Sequence, residues 1–218
     1  MHIFNKLLNA FGPQNWWPIK GEYRQRKLSE ADRLEVCIGA ILTQNTSWKN
    51  VEQALDNLHK YDLMDLKKLA SIDEKKLANL IRCSGYYRQK AKKLKIFAQC
   101  ILESGSLKDF FEKKNLRDEL LSVWGIGPET ADSIMLYAAE KPIFVIDAYT
   151  KRIMSRFGVC KSDVDYHVLQ GYFHKKLEKN HKLFNEYHAL FVEIAKRNCK
   201  KVPECQTCPL KKDCDFAT

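Results

Sequence analysis

One junction limits what this chain can fold into: Gly125-Ile126-Gly127-Pro128, set between two stretches of helical periodicity. Leu116, Leu120, Leu121 and Trp124 repeat at helical spacing before it, and Ala131, Ile134, Met135 and Ala138 repeat after it. Two glycines two positions apart permit positive φ and close approach to the main chain, so the spacing predicts two helices joined by a tight turn. Pro128 suits the first position of the second helix, where its missing N–H costs nothing, and Glu129 falls in the first turn, next to the favourable end of the dipole. Pro142 stops that helix. The N–H groups of such a turn can hold an anion without any charged side chain. Beyond the apolar run Ile143 to Ile146 stands Asp147, at the start of a further helical pattern. That aspartate reads equally as a catalytic acid and as a plain helix cap.

The rest of the sequence extends the helical reading. Ile3, Phe4, Leu7, Leu8 and Phe11 share one helical face over residues 2–11. The segment Gly12 to Pro18 then breaks the pattern and carries Trp16 and Trp17, which read as a plug between domains or as a stacking surface. Residues 24 to 27 form a basic link. Ser29 and Asp32 make a capping-box variant opening a helix through about Thr43, apolar on nearly every side and therefore expected at the centre of a core. Trp48, Val51, Leu55 and Leu58 stripe the next helix. Short helices follow, then one from about Arg88 to Glu103 with Ala91, Leu94, Phe97, Ala98 and Ile101 inward and Lys90, Lys92, Lys93 and Lys95 on an outer, solvated face. Helical patterns over 148–157, 165–178 and 183–197 complete the chain. No stretch alternates over strand length, so the fold class is all-α.

Composition narrows the partner. Thirty-seven Lys and Arg against 27 Asp and Glu leave the 218-residue chain at +10, a balance suited to a polyanion, although charge alone is weak evidence. No run is long and apolar enough for a membrane span, and the first residues lack a signal-peptide layout, so an intracellular, cytoplasmic protein is expected. Four cysteines, Cys37, Cys83, Cys100 and Cys160, are scattered. The other four, Cys199, Cys205, Cys208 and Cys214, form C-x5-C-x2-C-x5-C among Lys200, Lys201, Lys211 and Lys212. In a reducing compartment such a string points to a zinc site or an iron–sulfur cluster rather than to disulfides.

Together these features resemble the helix-hairpin-helix DNA glycosylase superfamily, whose motif is a Gly-hydrophobic-Gly hairpin, a helix and a catalytic aspartate at about the distance of Asp147. The resemblance implies a [4Fe–4S] cluster on Cys199, Cys205, Cys208 and Cys214, as in endonuclease III and its relatives, with five rather than the usual six residues between the first two cysteines. It also implies a damaged-base substrate in double-stranded DNA, contacted at Gly125, Ile126 and Gly127, with Gln44 filling the gap left by a flipped nucleotide and Tyr86 as the wedge. Bifunctional members carry a Schiff-base lysine at the fourth position after the first hairpin glycine. Here that position is Glu129, and a carboxylate forms no imine, which implies hydrolysis without strand cleavage.

Trp16-Trp17-Pro18, Leu42 to Trp48, Ser84 to Tyr87 and Gln89-Lys90-Ala91 look like the bacterial 3-methyladenine branch. There the residues matching Trp16 and Trp48 sandwich the extruded base. Trp17 joins them in an electron-rich pocket for a cationic purine, where cation–π contact contributes roughly 0.5–2 kcal/mol. The expected architecture is two discontinuous lobes, residues 28–140 and residues 1–27 with 141–218, acting as a monomer, with DNA across the groove between them and Asp147 at its mouth. A glycosylase for oxidised pyrimidines or mismatched bases, and a zinc-stabilised DNA-binding module, are the competing readings.

Overall fold

The structure, a computed structural model, describes residues 1–23 and 27–217. The expected basic link of residues 24–27 lies almost entirely outside the described residues. In chain order the described helices are α1 (His2–Phe11), α2 (Glu30–Leu42), α3 (Trp48–Lys60), α4 (Leu66–Ser71), α5 (Glu74–Leu80) and α6 (Tyr87–Glu103). There follow α7 (Leu107–Glu112), α8 (Leu116–Ser122), α9 (Pro128–Ser133), α10 (Ala148–Arg156), α11 (Tyr166–Lys176) and α12 (His181–Arg197). The protein is all-α: the only β pairing among the described residues is an isolated bridge between Ile19 and Glu22. No described helix is long and apolar enough to cross a membrane.

The chain divides into two compact units, Trp17–Ala139 and Met1–Trp16 with Glu140–Thr218. The seam expected near residue 27 stands at Trp16–Trp17 in this division.

In the first of these units α2 is the hub. Its capping box forms as the sequence indicates, with Ser29 accepting from the Asp32 N–H and Asp32 accepting from the Ser29 N–H. Val36, Cys37, Ile38, Ile41 and Leu42 are completely buried, each larger aliphatic among them contributing on the order of 1.5–3 kcal/mol. The central apolar run also carries Glu35, buried but paired with His59 at 2.7 Å and accepting the Lys20 N–H at 2.7 Å. After α9 the helix widens into a π-turn over Ile134–Ala138, closed by Ala139 N–H to Ile134 O, a feature that apolar periodicity does not distinguish from plain helix.

The second unit is built on an aromatic core. Phe144 stacks on Phe173 at 4.0 Å between ring centroids and meets Phe184 and Tyr187 edge-on. Phe144 belongs to the buried run Ile143 to Ile146, which is neither helix nor strand and has no strand to pair with among the described residues. Side chains of α11 take the place of a partner strand. The Phe144 N–H donates to His174 Nε2 at 2.9 Å, Gln170 Nε2 donates to the Phe144 carbonyl at 2.8 Å, and the Ile146 N–H donates to the Tyr166 hydroxyl at 3.4 Å. Satisfied in this way, the run can be buried, as a backbone without partners could not be. It delivers Asp147 to the start of α10.

Candidate active site

The hairpin is the first part of the site. Gly125 takes φ +83°, a conformation costly for any other residue, and a Cβ there would run into the aliphatic stem of Lys93. Ile126 is turned inward at 5% exposure, whereas both glycines are exposed. Gly127 corrects the expectation of two positive φ angles: at φ −95° and ψ 179° its backbone is open to any residue. Nothing lies within 4 Å of the place its Cβ would occupy, so what glycine provides there is room outside the main chain. Pro128 occupies the first position of α9, and no side chain caps that helix. Arg117 on α8 grips the fully buried Asp132 on α9 with two hydrogen bonds, 2.7 and 3.2 Å, which braces the two arms against each other. Trp124, read as part of the apolar stripe, is instead half exposed beneath the Lys92 ammonium, 4.8 Å from the ring. The chain turns away from the core at Gly125 before the indole can enter it.

Gln44 and Tyr86 lie on turns of the same unit. Gln44 is held at both ends, donating to Thr130 Oγ1 at 2.9 Å and the Gly125 carbonyl at 3.2 Å, while Lys93 donates to its Oε1 at 2.5 Å. Tyr86 sits in the left-handed region at φ 46°, with its ring 66% exposed. The lysines of α6 are not the uniform solvated face expected. Lys90 is buried and donates to the Leu42 and Ser84 carbonyls, Lys93 is committed to Gln44, and Lys95 donates to the Ala70 and Ile72 carbonyls. Helices leave their last carbonyls without internal partners, and these ammonium groups supply the donors.

Of the three tryptophans, Trp17 and Trp48 meet edge to face at 5.1 Å, and Trp17 also packs on Tyr137 at 5.3 Å. Gly39 in α2 admits the Trp17 indole, since a Cβ there would approach Cζ2 to 2.8 Å. Trp16 belongs to the other unit, where the Lys196 ammonium lies 6.0 Å from its ring.

Asp147 is the helix cap that the sequence allowed. As the N-cap of α10, its Oδ1 accepts the Thr150 N–H at 2.6 Å. Its Oδ2 stands 3.6 Å from His188 Nε2 on α12, and the two side chains are only 14% and 10% exposed. Burial on its own would raise the carboxyl, but the neighbouring His188 ring, with the backbone and hydroxyl of Thr150, outweighs it and holds Asp147 below the usual carboxylate range. The result is a largely desolvated carboxylate that stays ionised at neutral pH.

The four clustered cysteines follow α12 on a loop of two 3-10 turns, Cys205–Thr207 and Lys211–Asp213. All four are partly buried free thiols. Burial pushes the Cys208 thiol up, and Cys199, Cys214 and Cys205 add to the rise. No group of three His, Cys, Asp or Glu among the described residues forms a ready site for a single metal ion. The loop is gripped from α10: Arg152 donates to the Cys199 carbonyl, and Arg156 donates to Cys199 Sγ at 3.4 Å and to the Lys200 and Lys201 carbonyls. Two of the loop lysines are partnered locally, Lys200 with Glu204 and Lys211 with Gln206.

Residues 38–179 match the family described as the HhH-GPD superfamily base excision DNA repair proteins. The chain belongs to that superfamily. Within it, a Methanocaldococcus jannaschii protein whose provisional name is DNA repair glycosylase is 45% identical over 217 residues, covering 97% of this chain and 94% of that one. Endonuclease III of Thermotoga maritima is 30% identical over 88% of this chain and 86% of its own length. Among solved structures, H. pylori 3-methyladenine DNA glycosylase bound to 1,N6-ethenoadenine superposes with a TM-score of 0.75 at 32% identity, covering 90% of this chain and 96% of that one. An endonuclease III trapped covalently on DNA shares the fold, with a TM-score of 0.81 at 20% identity over 99% and 94% of the two chains. Enzymatic base excision, not DNA binding alone, is therefore the class of activity.

Several residues that shape this HhH-GPD site carried no functional signal in the sequence reading. His188, Arg117, Thr130 and Arg156 act across long sequence separations, and nothing near them marks their partners. Lys90 did leave a trace. Positions 90, 94, 97 and 101 share one helix face, and the other three are fully buried.

Proposed function

We propose that the protein is a monofunctional glycosylase that hydrolyses the N-glycosidic bond of alkylated purines of the 3-methyladenine type. The observation that carries this reading is the buried, ionised Asp147 in a chain whose hairpin offers Glu129 where a lyase needs lysine. The target nucleotide is first flipped from the duplex, with Gln44 and Tyr86 occupying the gap and Gly125, Ile126 and Gly127 holding a backbone phosphate. Asp147 then stabilises the cationic sugar and accepts a proton from water as the water oxygen bonds to C1′. The C1′–N bond breaks, and its electron pair leaves with the purine. Alkylation already gives that purine a positive charge, so it departs neutral and needs no general acid. Trp17 and Trp48, which meet edge to face, supply electron-rich surface of the kind such a base requires. The similarity to the H. pylori 3-methyladenine DNA glycosylase, solved with 1,N6-ethenoadenine bound, supports this choice of substrate.

The chemistry of the donor set suits a [4Fe–4S] cluster: Cys199, Cys205, Cys208 and Cys214 are four free, partly buried thiols on one C-terminal loop, with the Arg156 guanidinium at Cys199 Sγ available to balance negative charge. The group would fasten the C-terminal loop. A broad visible absorbance band with iron and acid-labile sulfide in the purified protein is the expected result.

The deciding experiment offers a panel of duplexes carrying alkylated purines, oxidised pyrimidines and mismatched adenine. Release of 3-methyladenine, leaving alkali-labile abasic sites, is expected. The endonuclease III relatives keep oxidised pyrimidines in the panel. A covalent complex trapped by borohydride would overturn the monofunctional reading, because only an imine is trapped that way.

A further inference from the structure

Two turns of the Trp17–Ala139 unit leave from one buried cation. α2 ends at Leu42, and Gln44 follows within a turn whose next residue, Asn45, is left-handed at φ 53°. The 3-10 turn Arg82–Ser84 ends directly before Gly85 and Tyr86, both at positive φ. Lys90, in the first turn and a half of α6, donates from one Nζ to the Leu42 carbonyl at 2.8 Å and to the Ser84 carbonyl at 2.6 Å. The side chain is 1% exposed, and Ser84 beside it is completely buried, its hydroxyl donating to the Ile81 carbonyl at 2.7 Å. Both accepted carbonyls close helical elements, so each would otherwise lack an internal donor. A lysine suits the place because its ammonium is a compact donor that serves two acceptors in different directions, which the planar fork of arginine does not. The arrangement is costly: burial pulls the ammonium down to about 8, with the charge of Lys93 adding to the effect and Cys83 opposing it. An apolar residue at this place on a face otherwise filled by leucine and phenylalanine would spare the buried charge but strand both carbonyls, so what the ammonium provides is the tie between the two turns.

We propose that Lys90 is a positioning residue for base extrusion, fixing the separation of the Gln44 turn and the Tyr86 turn so that both side chains enter the same gap. The inference rests on the reading of Gln44 and Tyr86 as the residues that fill the space left by a flipped nucleotide. The two turns cannot drift apart without breaking a charge-assisted hydrogen bond in a site closed to water, where no solvent replaces it. Gln44 is further steadied by Lys93 and Thr130, whereas the exposed Tyr86 ring leaves its turn dependent on backbone anchors such as this one.

The test compares wild type with Lys90→Met, which keeps the length and apolar volume of the stem and removes the donor. Base release from methylated duplex should fall roughly 10- to 100-fold under single-turnover conditions, as misplacement of about 1 Å commonly does. Release from the same strand unpaired should stay within about 3-fold, since no duplex gap has to be filled. In a Gln44→Ala, Tyr86→Ala background the further effect of Lys90→Met should shrink to less than about 2-fold, as coupling through those two residues requires. Equal losses on both substrates, an undiminished loss in that background or an unchanged duplex rate would each overturn the inference. Extrusion is read independently from 2-aminopurine fluorescence in duplex DNA, which needs no bond cleavage. Slower or weaker extrusion in Lys90→Met supports the inference, and unchanged extrusion refutes it. Should Lys90→Met not fold, Lys90→Arg is read by the same signal with the same two outcomes. If wild type extrudes 2-aminopurine but releases no alkylated base, the substrate reading fails while the role of Lys90 stands.

Discussion

Two helix N-termini on one stretch of chain, those of α9 and α10, use the same physics to opposite ends. Both present backbone N–H groups that attract an anion. At α9 the N-cap is Gly127, no side chain reaches back, and open space lies outside the main chain. At α10 the N-cap is Asp147, which brings its own anion, 2.6 Å from the Thr150 N–H. The first end has no side-chain cap and the second is filled by a carboxylate; the proposed function reads the first as a phosphate contact and the second as the catalytic group. Local sequence predicts a helix start in both places, but only the residue type and the packing around it set the two ends apart.

The comparison breaks most readily at Asp147. Asp147→Asn should lower base release by roughly 10²–10⁴-fold, the usual contribution of general-base catalysis. Asparagine caps helices about as well as aspartate, so the variant should stay folded and keep its DNA affinity. Full activity in single-turnover assays would reduce Asp147 to a cap. The next largest effect is expected at the hairpin. Gly125→Ala forces a Cβ onto a left-handed backbone and into the Lys93 stem, and should cost about 1–2 kcal/mol in urea unfolding as well as weakening DNA binding. Gly127→Ala should leave unfolding within about 0.5 kcal/mol of wild type. Any loss of affinity it shows in salt-matched titrations then reports an approaching phosphate; unchanged affinity would remove Gly127 from the DNA contact.

A smaller effect sharpens the Asp147 side. His188 and Thr150 depress the carboxyl against the opposing effect of burial, so His188→Gln should raise its pKa and move the acid limb of the base-release profile to higher pH. Retained position of that limb would assign His188 to packing alone. The stability signature has a defined sign. A carboxyl with a depressed folded pKa stabilises the protein above its unfolded pKa of about 4 and loses that contribution as pH falls through the folded value. The stability gap between wild type and Asp147→Asn should therefore narrow on acidification, as followed by chemical denaturation across pH.

Much of this was legible in the residues because it is local. The capping box at Ser29 and Asp32, Pro128 at the first position of α9 and the cap at Asp147 depend on side chains reaching three residues along the backbone. The family match spans residues 38–179, which include Pro128 and Asp147. Misreadings arose where partners are remote. Four lysines on α6 looked like one solvated face, yet Lys90 finds Leu42, 48 residues away, and Lys95 finds Ala70, 25 residues away. Trp124 continued a helical stripe on paper but emerges into solvent because the turn begins beside it. Gly127 looked like a second left-handed glycine, and only the geometry shows that its missing side chain matters for space rather than for φ.

The sequence by itself determined the helical class, the hairpin, the acid that follows it and the absence of a lysine at Glu129, since periodicity, caps and breakers act within a few residues. Tertiary structure alone decided that Asp147 faces His188, that Gln44 is held between Lys93 and Thr130, and that one buried ammonium joins two turns. Those pairings are set by which helices pack together. A buried charge finds its partner across the core, where chain distance carries no information.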